Sequence, residues 1–440
     1  MDASHSPDPG AISLDPREHR RGGADGPARL LRLMRAHAPW FGLLVAAAAY
    51  YPRFSRDPTG VALYPHAAEC LLRNEVLQNC EVYFTYPPAF AFLMIPFVPL
   101  PIGLRTVLWY VITIAATVAC LRLCEALAGR LVANRWSEAE VAWFRIIALV
   151  LSLRFILAVF ESQAYDMLVF VFVLAGLWGL AGNRSALGAG SLAVAAALKA
   201  TPLIFLPYLL LKRRFLPAAV FSLVFLAVSL LPDLFFKPNG EAWGHYFLDW
   251  LSQVAKPALG HDPTGAKQVF WMALNIHNHS LRGMVSALVD ELNNPAAHAR
   301  FLYAAYAVFI AAVGVLLVRS PRRADFIAVD GSIVLIAMLM LSPMTSRSHY
   351  VVLLLPYSVV TAVCLRDQAS RWICLPVLLS SFVLATATSN DLVGEAVTDW
   401  AYGHGFLALG AMVLLIALGC IRAAPDESGS SAVRLRRGPR

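Results

Sequence analysis

Three groups of polar residues in this chain have the types and spacing to do chemistry. The first lies in residues 52–87, where Asp57, His66, Glu69 and Glu81 surround or precede the string Phe84-Thr85-Tyr86-Pro87-Pro88. The second lies in 237–300. It holds His245, Asp249, His261 and Asp262, then Asn275-Ile276-His277-Asn278-His279-Ser280-Leu281-Arg282-Gly283. The third is short: Ser342-Pro343-Met344-Thr345-Ser346-Arg347-Ser348-His349-Tyr350. Loops of this length and content carry more than a connection requires. A carboxylate among them can take the proton of a hydroxyl as general base. Cations and histidines can stabilise a departing phosphate.

Lys199 is the sharpest feature outside these groups. It stands in the apolar run Ala197-Leu198-Lys199-Ala200-Thr201-Pro202. As a continuous helix, 1.5 Å per residue would place it roughly 20 Å from Lys212. A charge in such a run costs a few kcal/mol or more and is normally paired. Two readings stand side by side: a buried partner for Asp166, Glu161 or Asp330 (or a snorkelling side chain), and a clamp for a lipid phosphate.

The elements that must position these residues follow from composition. The hydrophobic residues make up 58% of the 440 and the charged ones only 15%, with a mean hydropathy of +0.62. Ordinary globular chains are about a quarter charged, so lipid has to cover much of this surface. Disordered, collagenous and small disulfide-scaffold classes are excluded by the same figures. The net charge of +8 sits in clusters: Arg17 to Arg35, Lys212-Arg213-Arg214, Arg319 with Arg322-Arg323, Arg366 with Arg371, and Arg434 to Arg440. Beside apolar spans these read as cytoplasmic anchors under the positive-inside rule, not as a nucleic-acid surface.

Candidate spans lie near 36–51, 102–123, 143–160, 164–181, 186–211, 216–236, 302–318, 326–342, 350–365, 373–389 and 405–421. Each is near the roughly 20 residues a membrane helix needs. The expected organisation is a disordered cytoplasmic tail over 1–29, a membrane domain over 30–422 and a basic cytoplasmic tail over 423–440. The first apolar stretch begins near Leu30 with no cleavage site after it, so no signal peptide is expected. With both tails inside the cell membrane, 52–87 and 237–300 become outer loops. Stretch 88–100 is too short to span comfortably. Either it is re-entrant and 186–211 is a hairpin, or both are single crossings; the charges slightly favour the former.

Soluble-enzyme signatures fail. The string Gly188-Ala189-Gly190-Ser191-Leu192-Ala193 follows no strand and reads as small-residue helix packing. The P-loop-like 260–267 has Ala266 where lysine is required. Of seven cysteines, only Cys70 and Cys80 fall in an outer loop, where a disulfide is permitted and is left open. A carboxylate beside the membrane, a buried cation and a polar outer vault together suit a lipid-linked group transfer, needing no metal or organic cofactor. A transporter or flippase of lipid-linked sugars is the alternative, and a non-catalytic assembly factor a third reading.

Four motifs in order carry a resemblance. They are Phe84-Thr85-Tyr86-Pro87-Pro88-Ala89-Phe90; Lys199-Ala200-Thr201-Pro202 through Pro207-Tyr208; Asn278-His279-Ser280-Leu281-Arg282-Gly283; and Ser342-Pro343 through His349-Tyr350 to Pro356. Together they resemble glycosyltransferase family 87, the polyprenyl-phosphate-mannose-dependent mannosyltransferases of GT-C fold, over about residues 50 to 365. The resemblance implies an all-α polytopic bundle of about 11–13 membrane helices with helical outer loops. It also implies transfer of a hexose, typically mannose, from a polyprenyl phosphate to a glycolipid or glycan at the outer face.

Residue by residue, the resemblance points to an acidic general base in the first outer loop. Asp57 is the best match and Glu69 the alternative; Asp57-Pro58 also reads as a plain turn. His349 matches a family histidine that contacts the donor phosphate or orients the base, and also reads as a helix cap. Lys199 is expected to bind the donor phosphate, with Arg347 able to supply that contact in place of His349, and Tyr86, Asn278 and Arg282 are the other expected substrate contacts. Tyr86-Pro87-Pro88 reads first as a rigid start to a helix. Gln163 and Asp166 stand where the family often has Gln-x-x-Asn, and Asp166 is also open to simple pairing with Lys199.

Overall fold

The computed structural model describes residues 45, 48–132, 136–241, 243–259, 275–289, 294–366 and 368–421. The chain divides into two units, Met1–Tyr50 and Tyr51–Arg440. Of the first only residues 45 and 48–50 are described, as helix, so most of the expected span over 36–51 and both expected tails lie outside the described residues. All that follows concerns the second.

Its described residues form helices and turns with no strand. In chain order they are α1 (Thr59–Leu72), α2 (Pro88–Leu93), α3 (Ile102–Leu131), α4 (Glu138–Glu161), α5 (Asp166–Ala181), α6 (Ser185–Leu198), α7 (Phe205–Leu211) and α8 (Phe215–Ser229). Then come α9 (Tyr246–Trp250), α10 (Leu281–Val289), α11 (Pro295–Arg319), α12 (Ile327–Leu341), α13 (Leu354–Arg366), α14 (Gln368–Ala385), α15 (Glu395–Gly403) and α16 (Phe406–Cys420). Four are long and apolar enough to cross a bilayer: α3, α4, Ala296–Arg319, and Arg347–Arg366 with its leading 3-10 turn. The pair α15–α16, bent by 61°, makes a fifth, and six shorter apolar helices fill the bundle. The chain is an all-α polytopic membrane protein.

The apolar run 186–211 is not one helix. Pro202 has no N–H to donate to the carbonyl of Leu198, four residues back, and its ring crowds that carbonyl in a continuous helix. Accordingly α6 stops at Leu198, Lys199 is extended (φ −147°, ψ 120°), and the chain resumes as a 3-10 turn, Thr201–Ile204, before α7. Two bonds fix the direction. Lys199 reaches Asp166 at the start of α5, whereas Arg214, just past α7, donates to the carbonyl of Leu180 at its end (3.1 Å). The run therefore goes up and returns, a hairpin with Lys199 in its turn. Its first arm lies tightly on α5: a Cβ on Gly179 would come within 2.7 Å of the Gly188 Cα, which is the small-residue packing expected there.

Stretch 88–100 likewise enters and leaves at one end of the bundle. Phe90 stacks on Tyr165 at 3.9 Å, and Trp109, in the second turn of α3, donates to the carbonyl of Gln163 at 2.9 Å. Far along α3, Arg130 bonds the carbonyl of Ala181 at the opposite end. Of the two arrangements compatible with the charge pattern, the re-entrant stretch and hairpin is the one adopted. At that opposite end Lys212, expected as a cytoplasmic anchor, is buried. Its Nζ lies 2.9 Å from Asp330, which also accepts from the Tyr208 hydroxyl at 3.2 Å.

Cys70 and Cys80 form a disulfide, Cα–Cα 6.0 Å, tying the end of α1 to the turn Leu77–Cys80. Closing so short a loop is worth about 2–3 kcal/mol by the chain-entropy relation. Cys70→Ser should therefore lower the thermal midpoint. It should also free Cys80 for maleimide labelling, which in the unaltered protein requires prior reduction.

Candidate active site

The site begins where α4 ends. Residues 162–165 form a tight turn in which Gln163 takes a left-handed backbone (φ 50°), unusual for a residue with a Cβ. It places Asp166 in the first turn of α5, where the helix N-terminus favours a carboxylate. The hairpin turn brings Lys199 Nζ to 2.5 Å from Asp166 Oδ1, both side chains being about nine-tenths buried. His349 Nε2 lies 3.9 Å from the same oxygen, and the Ser348 hydroxyl donates to Oδ2 at 3.5 Å. Because His349 Nδ1 accepts from the Ser346 backbone N–H at 2.9 Å, the neutral ring carries its proton on Nε2, facing Asp166.

Asp166, Lys199 and His349 line one small cavity of about 20 Å³, room for about one water. Its polar wall is Asp166, Lys199, Thr201, Ser342, Thr345 and His349. Its other wall is apolar, running down one stripe of α5 through Val169, Phe170 and Val173. An aromatic cluster adjoins it. Lys199 Nζ lies 5.3 Å from the Tyr165 ring, and Tyr165 meets Tyr86 edge-to-face at 4.7 Å. Burial, followed by the negative charge of Asp166, pushes the Tyr86 phenol well above its usual value. Tyr86 thus stays protonated, a hydrogen-bonding and ring surface rather than a base.

Loop 52–87 hangs on Gln163. Its amide nitrogen donates to the carbonyls of Phe54 (2.8 Å) and Asp57 (3.0 Å), and its amide oxygen accepts from the Val61 N–H at 3.1 Å. Asp57 follows the helical end of 51–54 and is exposed. Its carboxylate makes no ion pair or hydrogen bond among the described residues. Glu69 is committed elsewhere, 3.5 Å from Arg73 and 3.9 Å from Arg105, and Glu81 lies 2.7 Å from His66.

The remaining expected residues divide. Asn278 is buried and holds two loops together: its Nδ2 donates to the Pro343 carbonyl at 3.1 Å and its Oδ1 accepts from Thr345 N–H at 3.2 Å. It supports the His349 loop rather than lining the cavity. Arg347 is exposed, two residues before His349. Arg282 is half-buried on α10 and is not among the cavity's lining residues. Of the three carboxylates open as partners for Lys199, Asp166 takes it, Glu161 pairs with Arg53 at 2.9 Å and Asp330 with Lys212. The central place of Asp166, and the clamp made by Gln163, are what the sequence reading left undeveloped. The signal was present: two opposite charges in separate apolar runs can be buried only against each other.

His279 sits behind this loop with 2% exposure. Its N–H donates to the Thr345 carbonyl at 2.7 Å, and its ring lies 4.5 Å from that of Tyr402. Burial, then the nearby charge of Arg154, pushes its pKa down to about 3. A histidine held neutral supports the fold fully above about pH 6.5, where the unfolded chain is neutral too. That support is lost as pH falls from there toward the folded value, because only the unfolded chain takes the proton. The thermal midpoint should drop between pH 7 and pH 5, and His279→Gln should flatten that part of the curve.

The fold and the site define a polytopic membrane protein with an ion pair, an imidazole and an aromatic cluster gathered around one end of its helical bundle. Residues 84–343 match glycosyltransferase family 87. The chain belongs to that family. It is also 30% identical, over 273 residues, to a polyprenol-phosphate-mannose-dependent alpha-(1-2)-phosphatidylinositol pentamannoside mannosyltransferase of Mycobacterium tuberculosis. That match covers 61% of this chain and 56% of the relative, so the chain spans little more than half the relative's length. No solved structure matches. The family match contains Tyr86, Gln163, Asp166, Lys199, Asn278 and Arg282, whereas Asp57 precedes it and His349 follows it.

Proposed function

We propose that this chain is a membrane glycosyltransferase that moves a hexose, mannose in the first instance, from a polyprenyl phosphate to a hydroxyl of a glycolipid or glycan at the outer face of the cell membrane. In this reading both tails are cytoplasmic, residues 30–422 form the catalytic membrane domain, and loops 52–87 and 237–300 face outward. The observation that carries it is the placement of Lys199, Asp166 and His349 around a cavity at the same bundle end as the loop holding Asp57. The relative's dependence on polyprenol-phosphate-mannose supports the choice of donor.

Asp57 serves as the general base, taking the acceptor's hydroxyl proton as that oxygen attacks the anomeric carbon. The bond from that carbon to the phosphate oxygen breaks, and polyprenyl phosphate departs with the electron pair. Lys199, His349 and Arg347 meet the charge that develops on it. Asp166 keeps the Lys199 ammonium charged and aimed before the donor arrives. Tyr86 offers ring and hydroxyl to the sugar, with Arg282 and the Asn278-braced loop on the acceptor side.

The test is to supply the purified protein, in lipid, with a set of polyprenyl-phosphate sugars and candidate glycolipid acceptors. Acceptor-dependent release of polyprenyl phosphate, with sugar bonded to the acceptor, is the expected result. Sugar-lipid appearing across the bilayer with no new glycosidic bond would replace this reading with a transporter or flippase.

A further inference from the structure

We infer that Gln163 is a positioning residue that sets the distance between the acceptor side of the reaction, at Asp57, and the donor side, at Asp166, Lys199 and His349. This rests on the functional reading above. Gln163 lies three positions before Asp166, so the donor cluster begins one turn away from it along the chain. From there its side chain spends every polar atom on the first outer loop, reaching Phe54, Asp57 and Val61. Its own carbonyl accepts from Trp109 of α3 at 2.9 Å and from the hydroxyl of Tyr64, in the same loop, at 3.4 Å. The residue is 1% exposed.

The approach is close as well as polar. Gly60 abuts this turn so tightly that an added Cβ would lie 3.0 Å from Gln163 Cβ and 3.1 Å from the Ser162 carbonyl oxygen. A glycine at 60 and a left-handed glutamine at 163 together let two backbones meet that would otherwise be kept apart. Such an arrangement exceeds what anchoring a loop requires. It fixes the carbonyl of the proposed base itself, and leaves the carboxylate outside the bond network and available for an acceptor. Because a misplacement of about 1 Å can cost on the order of 100-fold in rate, a single clamp at this point governs the turnover number without touching substrate.

The experiment uses the full-length protein in lipid with polyprenyl-phosphate-mannose and a glycolipid acceptor, measuring kcat together with direct binding of the donor. Gln163→Ala should lower kcat by about 30- to 100-fold while donor affinity stays within about twofold, since Lys199 and His349 are untouched. In an Asp57→Glu background the same change should cost less than about threefold, because Gln163 acts through a base already displaced. Gly60→Ala, which removes no hydrogen bond, should reproduce the signature at about 5- to 10-fold and serves also if Gln163→Ala fails to accumulate. Donor affinity and kcat falling together, or an undiminished loss in the Asp57→Glu background, would mark Gln163 as merely structural and overturn the inference. An unaltered kcat in Gln163→Ala and Gly60→Ala would do the same. If the unaltered protein transfers no sugar, the functional reading itself fails and takes this inference with it; transfer by the unaltered protein isolates the question to Gln163.

Discussion

Asp57→Asn is expected to abolish sugar transfer, by about 10²–10⁴-fold in kcat, while expression, membrane insertion and donor binding persist. The exchange is nearly isosteric, and the Asp57 side chain is exposed with no hydrogen bond among the described residues to lose. The loop keeps its place because Gln163 holds the backbone carbonyl of Asp57, not its carboxylate. Donor binding persists because Lys199, Asp166 and His349 lie on other elements. What disappears is the unengaged carboxylate beside the Gln163 clamp; of the other acidic residues in this loop, Glu69 sits between Arg73 and Arg105, Glu81 is held by His66 and the Tyr83 N–H, and Glu75 lies exposed within the segment closed by the Cys70–Cys80 disulfide. Turnover by Asp57→Asn at the unaltered rate would remove Asp57 from the mechanism, and loss of activity in Glu69→Gln would then move the base there.

The fold class was legible because it follows from bulk quantities. A chain that is 58% hydrophobic and 15% charged admits few solutions besides a helical membrane bundle. The hairpin at Lys199 was legible only as one of two options. Periodicity reads 186–211 as a continuous apolar run, and the decision falls to Pro202 and to the ion pair that fixes which end of α5 the turn meets. The disulfide was equally undecided, since spacing permits Cys70 and Cys80 to meet but only the fold of α1 brings them together. Residue types at the site were visible while their pairings were not. Lys199 had three possible carboxylates, and choosing among them requires the helix order in space. Asn278 shows the converse: an Asn in a polar motif reads as a substrate contact, and only the fold reveals that its amide bonds Pro343, Thr345 and Ser280. Gln163 gave least warning, because a glutamine in a short turn carries no chemical signature until its partners, about a hundred residues earlier, are known.

Lys199→Met is expected to have two separable consequences, and separating them decides what the ion pair is for. It leaves Asp166 as a buried charge without its cation, which costs about 3–5 kcal/mol and should appear as a large fall in thermal midpoint. It also removes a charged donor to the leaving phosphate, worth about 1.5–3 kcal/mol, or about 10- to 100-fold in apparent donor affinity. Adding Asp166→Asn removes the stranded charge. The double variant should therefore regain most of the lost stability, since a buried ion pair replaced on both sides is often neutral in energy. It should regain little donor affinity, because neither Met nor Asn can supply the cation. A single structural role predicts that donor use recovers along with the fold. Measured together, thermal midpoint and donor affinity must part company in the double variant if Lys199 meets the phosphate; should they rise in step, the pair is a helix fastener and the phosphate contact passes to Arg347 and His349.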